Sequence, residues 1–267
     1  MKILICGDVD SQFNSLNFLL SSHEEVAMGF CLGNLGYYVN SSPIKLLLRT
    51  KLRFNIEESL EFNNQHKLFD KPVYSLIGSL DDPFIPNDEY NIKNLFRNWS
   101  GVTNFVTLSE DGKNSGSIAI GMLSGYYNEY NFREKNKKRL KQKRERNSNS
   151  LSKEDFNRMD NIKCDILMLH DFPVVFSIKP TGSSIENDSL NKLKYGCPYI
   201  NRLIKTSNTK LIYSGHLREF FKTKFNNSLL IGLPPINKGY IIHDLYSSEI
   251  TFYDLENNTK ERLNNAI

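Results

Sequence analysis

The chain reads as an α/β protein built on a mostly parallel sheet, and two observations carry that reading. First, one local grammar occurs three times: KILICGDVD at the start, AMGFCLGN at 27–34 and PVYSLIGSLDD at 72–82 are apolar runs that each end in Gly beside a polar residue. Strands of this kind followed by helical segments are the signature of a parallel sheet with functional loops at the strands' carboxyl ends. Second, the last third holds the short alternating runs SLLIGL, GYIIHDLY and EITFYDL, which predict consecutive antiparallel strands closing a second sheet.

Taken in order, the first strand leads through a turn with two carboxylates into an amphipathic helix from Phe13 to Leu20. The second and third strands precede helical segments at about 43–62 and 89–97. Strands over 102–108 and 117–123 flank SEDGKNSG, whose Asp-Gly is a hairpin signal. From 127 to about 155 the periodicity gives way to Asn, Lys, Arg and Ser, the mark of an insertion that is partly helical and partly disordered. The pattern then resumes with CDILMLHDFP (164–173), a helical stretch near 189–204 and KLIYSGHL (210–217). No low-complexity linker separates two cores, so residues 1–267 are expected to form a single domain interrupted by that insertion.

Composition excludes several classes. Apolar residues make up 39% of the chain and charged residues 24%, which rules out the disordered compositional class. No apolar run approaches the roughly 20 residues that cross a bilayer, and MKILICGDVD turns polar too early for a secretory signal, so an intracellular protein without membrane contact is expected. Cys6, Cys31, Cys164 and Cys197 form no CxxC pair, which argues against a zinc knuckle or a redox motif; Cys6 and Cys31 read as buried thiols. The net charge of +4 is local in origin: Arg133 to Arg146 alone holds nine Lys or Arg against two Glu.

Five strand ends carry polar residues: Asp8 and Asp10, Asn34, Ser79 with Asp81, His170 with Asp171, and His216 with Arg218. Singly, each is ordinary turn or core chemistry. If the strands are neighbours, their ends converge on one crevice, where a metal or phosphate site is built.

In order and spacing, GDVD, LGN, IGSLDD, LHDFP and SGHLRE resemble the five signatures of the calcineurin-like metallophosphoesterases: GDxH, GDxxD, GNH(D/E), a lone His and GHxH. That resemblance spans nearly the whole chain and implies a four-layer αββα sandwich of two mixed sheets flanked by helices. It also implies two metal ions that activate a hydroxide and clamp a phosphate. More closely, MKILICGDVDSQFNSLNFLL with FCLGNLGYY resembles the amino-terminal domain of the CwfJ family of splicing-associated proteins. LSGYYN, MLHDFP and YSGHLREFFKTKF resemble the RNA lariat debranching enzyme.

Carried over residue by residue, the resemblance implies a first metal position lined by Asp8, by Asp10 in place of His, by Asn34 in place of the bridging Asp and by Arg218 in place of the last His. A guanidinium cannot ligate a metal; Arg218 is expected to pair with Asp8 or Asp10 instead, or to hold a phosphate. The second position keeps His170 and His216, with Asn34 as a neutral bridge and Ser79 in place of Asn. Leu80 stands where the family has its proton-donating His, which leaves Asp81 and His170 as the candidate catalytic groups. The implied cofactor is one loosely held divalent ion (Mn, Zn or Fe) or none.

The basic run supplies a second candidate surface. Arg133, Lys137, Lys138, Arg139, Lys141, Lys143 and Arg144, with aromatic residues just before them, suit a phosphate backbone with stacked bases; they equally suit a solvated nuclear import signal. The expectation is a nuclear, splicing-associated binding factor with impaired catalysis, whose partners are branched or intron-derived RNA and spliceosomal or debranching proteins. The alternative is an active metal-dependent RNA phosphodiesterase cutting 2′–5′ bonds.

Overall fold

The computed structural model describes residues 1–36, 69–79, 81, 98–99, 103–108, 117–127, 132, 150–151, 153–159, 162–174 and 196–263. The helices expected at 43–62 and 89–97, the turn between the two hairpin strands, Leu80 and the whole basic run lie outside them.

In chain order the elements are β1 (Lys2–Cys6), α1 (Phe13–Ser22), β2 (Val26–Cys31), β3 (Val73–Ser75), β4 (Asn98–Trp99), β5 (Thr103–Leu108), β6 (Ile118–Leu123) and α2 (Lys153–Met159). They continue with β7 (Ile166–Leu169), α3 (Pro198–Ser207), β8 (Leu211–Ser214), β9 (Phe221–Phe225), β10 (Ser228–Gly232), β11 (Gly239–Asp244), β12 (Glu249–Asp254) and β13 (Thr259–Leu263).

Two mixed sheets form. One has the order β13-β12-β11-β1-β2-β3-β4, parallel from β1 to β4 and antiparallel beyond; the other has the order β5-β6-β7-β8-β10-β9, parallel from β6 to β10 with antiparallel edges. Strand alternation decides which side chain enters which layer. On β1, Ile3 and Ile5 join Met122, Met168 and Tyr213 of the other sheet in an inter-sheet core, while Leu4 and Cys6 turn the opposite way onto Phe13, Leu16 and Leu20 of α1. On the far side, Leu167, Leu169, Ile212 and Leu230 pack against Phe156 and Met159 of α2 and Ile200, Leu203 and Ile204 of α3. The layering is therefore helix, sheet, sheet, helix.

α3 shows how directly sequence sets an element. Pro198 pre-sets the first helical position, Ile200, Leu203, Ile204 and Ser207 recur at helical spacing on the buried face, and Asn208 closes the helix with φ 53°.

The three late runs do not form one antiparallel meander in the second sheet. SLLIGL supplies β10, which lies parallel to β8 in the second sheet; GYIIHD and EITFYD supply β11 and β12, which belong to the first sheet, with β11 antiparallel to β1. Pro234 and Pro235 separate the two groups, and the chain is pinned at the crossing by the Ile236 amide donating to the Asp8 carbonyl at 2.9 Å. Alternation reports a half-buried strand but carries no information about its partner.

Candidate functional site

The carboxyl ends of β1, β2, β3, β7 and β8 meet at one rim. Backbone bonds tie the loops together: the Asp10 amide donates to Asn34, Ser11 to Leu35, Gly125 to Ile77, and Gly215 to Leu169. The rim brings Asp8, Asp10, Asn34, Ser79, Asp81, His170, His216 and Arg218 into one cluster. Beside it opens a crevice of about 370 Å³ lined by Tyr127, Asp171, Phe172, His216, Leu217 and Arg218.

Its backbone is unusual. Asp10 (φ 52°), Asn34 (φ 44°), His216 (φ 64°) and Arg218 (φ 61°) all sit in the left-handed region. Each costs of order 1 kcal/mol or more outside glycine, and such residues concentrate where side chains must be aimed. Gly33, at φ 112°, is needed for a second reason: a Cβ there would collide with the His170 Nδ1.

Arg218 occupies the centre of the acidic end. Its Nη1 donates to Asp8 Oδ2 at 2.5 Å and to Asp10 Oδ1 at 3.1 Å, and its Nη2 donates to Asp10 Oδ2, so the guanidinium forks onto one carboxylate and reaches a second. Asp8 and Asp10 are 1% and 2% exposed, and Asn34 Nδ2 adds a donor to Asp8 Oδ2 at 2.9 Å. Burial draws the Arg218 pKa down, but the two aspartates outweigh it and the net direction is upward. Among the described residues, Asp8 Oδ1 is buried with no hydrogen-bond partner.

His170 is fully enclosed. Its Nδ1 lies 2.7 Å from the Leu32 carbonyl, and its Nε2 accepts the Ser79 amide at 2.9 Å, which fixes the neutral Nδ1–H tautomer. Burial, with the neighbouring His216 and Arg218, pushes its pKa down to about 3. With both ring nitrogens engaged, no lone pair remains for a metal and no proton is available for transfer. In this arrangement His170 bridges β7 and the loops after β2 and β3. His216 stands edge-on to it, ring centroids 5.0 Å apart, with Nδ1 3.4 Å from Ser79 Oγ.

Asp81 is also committed. It is 3% exposed, and its two oxygens accept the amides of Gly36 at 3.0 Å and Gly78 at 2.6 Å. Burial raises its pKa to about 7, with the Asp8 charge adding and the amides opposing. Through these bonds Asp81 ties the loop after β3 to the loop after β2. Asp171 does the same for a third loop, accepting the amides of Tyr127 at 2.7 Å and Phe172 at 2.8 Å. Its clasp role, and Tyr127 as a crevice wall, have no signal in the spacing of the motifs; only the folded loops reveal them.

Among the described residues no group of three or more His, Cys, Asp or Glu side chains is arranged to hold a metal ion. The residues present do not fit a two-metal centre: a guanidinium stands between Asp8 and Asp10, and His170 has no free nitrogen. Arg133, Lys137, Lys138, Arg139, Lys141, Lys143 and Arg144 lie outside the described residues.

A family model described as calcineurin-like phosphoesterase matches residues 1–219. The chain belongs to that family. No curated protein matches it. Among solved structures, it is similar to a dimetal phosphatase from Danio rerio (10% identity, 95% of each chain covered, TM-score 0.56). It is also similar to the protein TT1561 of Thermus thermophilus (14% identity, 95% of this chain and 98% of that chain covered, TM-score 0.54). A third is GAP50, the anchor in the inner membrane complex of Plasmodium (15% identity, 99% of this chain and 88% of that chain covered, TM-score 0.51). At these identities the likeness establishes the fold, with two mixed sheets between helices, and the fold alone.

Proposed function

We propose that this chain is a degenerate metallophosphoesterase-like binding factor of the debranching and CwfJ type, acting on RNA or on splicing proteins in the nucleus with impaired hydrolysis. The observation that carries the reading is the Arg218 guanidinium bound to both Asp8 and Asp10, the two carboxylates that the family pattern assigns to the first metal position. A fixed positive charge there repels a dication at close range, and it supplies no ligand atom. The engaged nitrogens of His170 support the same conclusion at the second position. Fold does not choose between catalysis and binding; among proteins with this fold are one described as a dimetal phosphatase and one described as an anchor.

The test is elemental analysis of protein purified without chelator, together with manganese-supplemented hydrolysis of bis(p-nitrophenyl) phosphate and of a 2′–5′ branched oligoribonucleotide. The expected result is less than one ion per chain and no hydrolysis above the level of an Arg218→Ala, His216→Ala double variant. Two stoichiometric ions, with turnover that His170→Ala and His216→Ala each abolish, would establish the active phosphodiesterase instead.

A further inference from the structure

Away from the rim, α2 and α3 enclose a second cavity of about 180 Å³, lined by Phe132, Lys153, Phe156, Asn157, Tyr199 and Arg202. Its composition differs from that of the rim. Three aromatic side chains form its interior: Phe132 and Tyr199 have centroids 4.0 Å apart, and Phe156 lies 5.9 Å from Phe132 and 5.7 Å from Tyr199. Phe132 and Phe156 are buried, Tyr199 is half-buried, and the exposed Lys153 and Arg202 bring two cations to the mouth beside the Asn157 amide.

We infer that this cavity is a nucleobase pocket for single-stranded RNA, with one base against Tyr199 and the flanking phosphates on Lys153 and Arg202. The inference rests on the RNA reading of the previous section and gives it a place. Volume sets the unit: sites for whole drug-sized ligands start near 300 Å³, so this cavity admits one ring system and leaves sugar and phosphate at the rim. Chemistry sets the class, because an aromatic wall with cations at its mouth is how proteins hold unpaired bases whose backbone stays in solvent. Asn157 adds an amide able to donate to and accept from a base edge.

Position extends the argument along the strand. Tyr127 packs on Phe132 (5.5 Å) and Tyr199 (5.9 Å), and the same Tyr127 lines the crevice beside His216 and Arg218, so an aromatic surface runs from the rim to the cavity. In the sequence, Phe132 immediately precedes Arg133, the first of the nine cations of the basic run.

Fluorescence anisotropy with a labelled ten-nucleotide oligouridylate and oligoadenylate, on the full chain from 50 to 200 mM salt, tests the pocket. Tyr199→Ala is expected to weaken binding roughly tenfold, within the range for loss of one stacked base, while Tyr199→Phe binds like the parent. Lys153→Glu with Arg202→Glu, both at exposed positions, is expected to weaken binding and to lower the salt slope by about two phosphate contacts; it carries the test even if Tyr199→Ala does not fold. Parental affinity in Tyr199→Ala or in the charge-reversed variant, with binding lost only on deleting 133–146, overturns the pocket and leaves the RNA reading standing. No binding by the parent at 50 mM salt overturns both.

Discussion

Arg218 and the two aspartates it holds form an ion-pair triad in which each carboxylate is nearly inaccessible and the guanidinium is 25% exposed. In such a triad the cost of losing one member far exceeds the net worth of the whole, because the survivor is left charged and desolvated. Asp10→Asn keeps the shape of the side chain and its tolerance of the left-handed backbone, so its effect isolates charge. It is expected to lower unfolding free energy by about 3 kcal/mol in urea titrations. Combined with Arg218→Met it should cost less than the two single changes added together, and additive losses would show that the triad is not one unit. The sequence made the polar strand ends legible, Arg218 among them, because motif order is written along the chain. It did not reveal that Asp81 and His170 spend their polar atoms on backbone partners: beside the local Gly78 amide, the Gly36 amide reaches Asp81, and the Leu32 carbonyl and Ser79 amide reach His170, from loops that meet only after folding.

Elements were legible where the residues themselves impose the period. α1 and α3 have buried faces at helical spacing, although the helix expected near 189–204 is observed as Pro198–Ser207, started by Pro198 and stopped by Asn208. Leu203, 1% exposed on the inner face of α3, is expected to cost about 2–5 kcal/mol as Leu203→Ala, since the site lies against β8 and β10 and cannot collapse freely. Thermal or urea unfolding checks this, and a loss below about 1 kcal/mol would mean that α3 is not anchored by that face. Strand partnership was less legible. β10 and β11 are separated by only six residues, yet they lie in different sheets, one parallel to its neighbour and the other antiparallel. Both read as buried apolar runs, and only the closure of two cores around a double proline assigns them.

Across the whole molecule, the two sheets are joined by packing and by a buried polar contact: Tyr213 Oη on β8 lies 3.1 Å from His243 Nδ1 on β11. Burial pushes the His243 pKa down to about 4, only partly offset by Asp244, while the unfolded chain titrates near the ordinary 6.5. The unfolded state therefore gains its proton first as pH falls. The contribution of neutral His243 is complete above about pH 6.5, is lost progressively down to about 4, and amounts to roughly 3 kcal/mol over the window. His170 acts with the same sign; Asp81, raised to about 7, acts with the opposite sign and loses its contribution as pH rises from its ordinary range. Urea midpoints measured from pH 4.5 to 7 are expected to climb, and His243→Gln should flatten the climb; an unchanged slope in that variant would remove His243 as its source. The amino-acid sequence alone determined the α/β class, the five polar strand ends and the likeness of their order to a phosphoesterase, because strand period, turn chemistry and motif spacing are local or linear properties. Only the tertiary structure decided which strands share a sheet, that Arg218 closes on Asp8 and Asp10, and that His170 has no free nitrogen. Those outcomes depend on how loops far apart in the chain compete for the same few hydrogen bonds once water has been excluded.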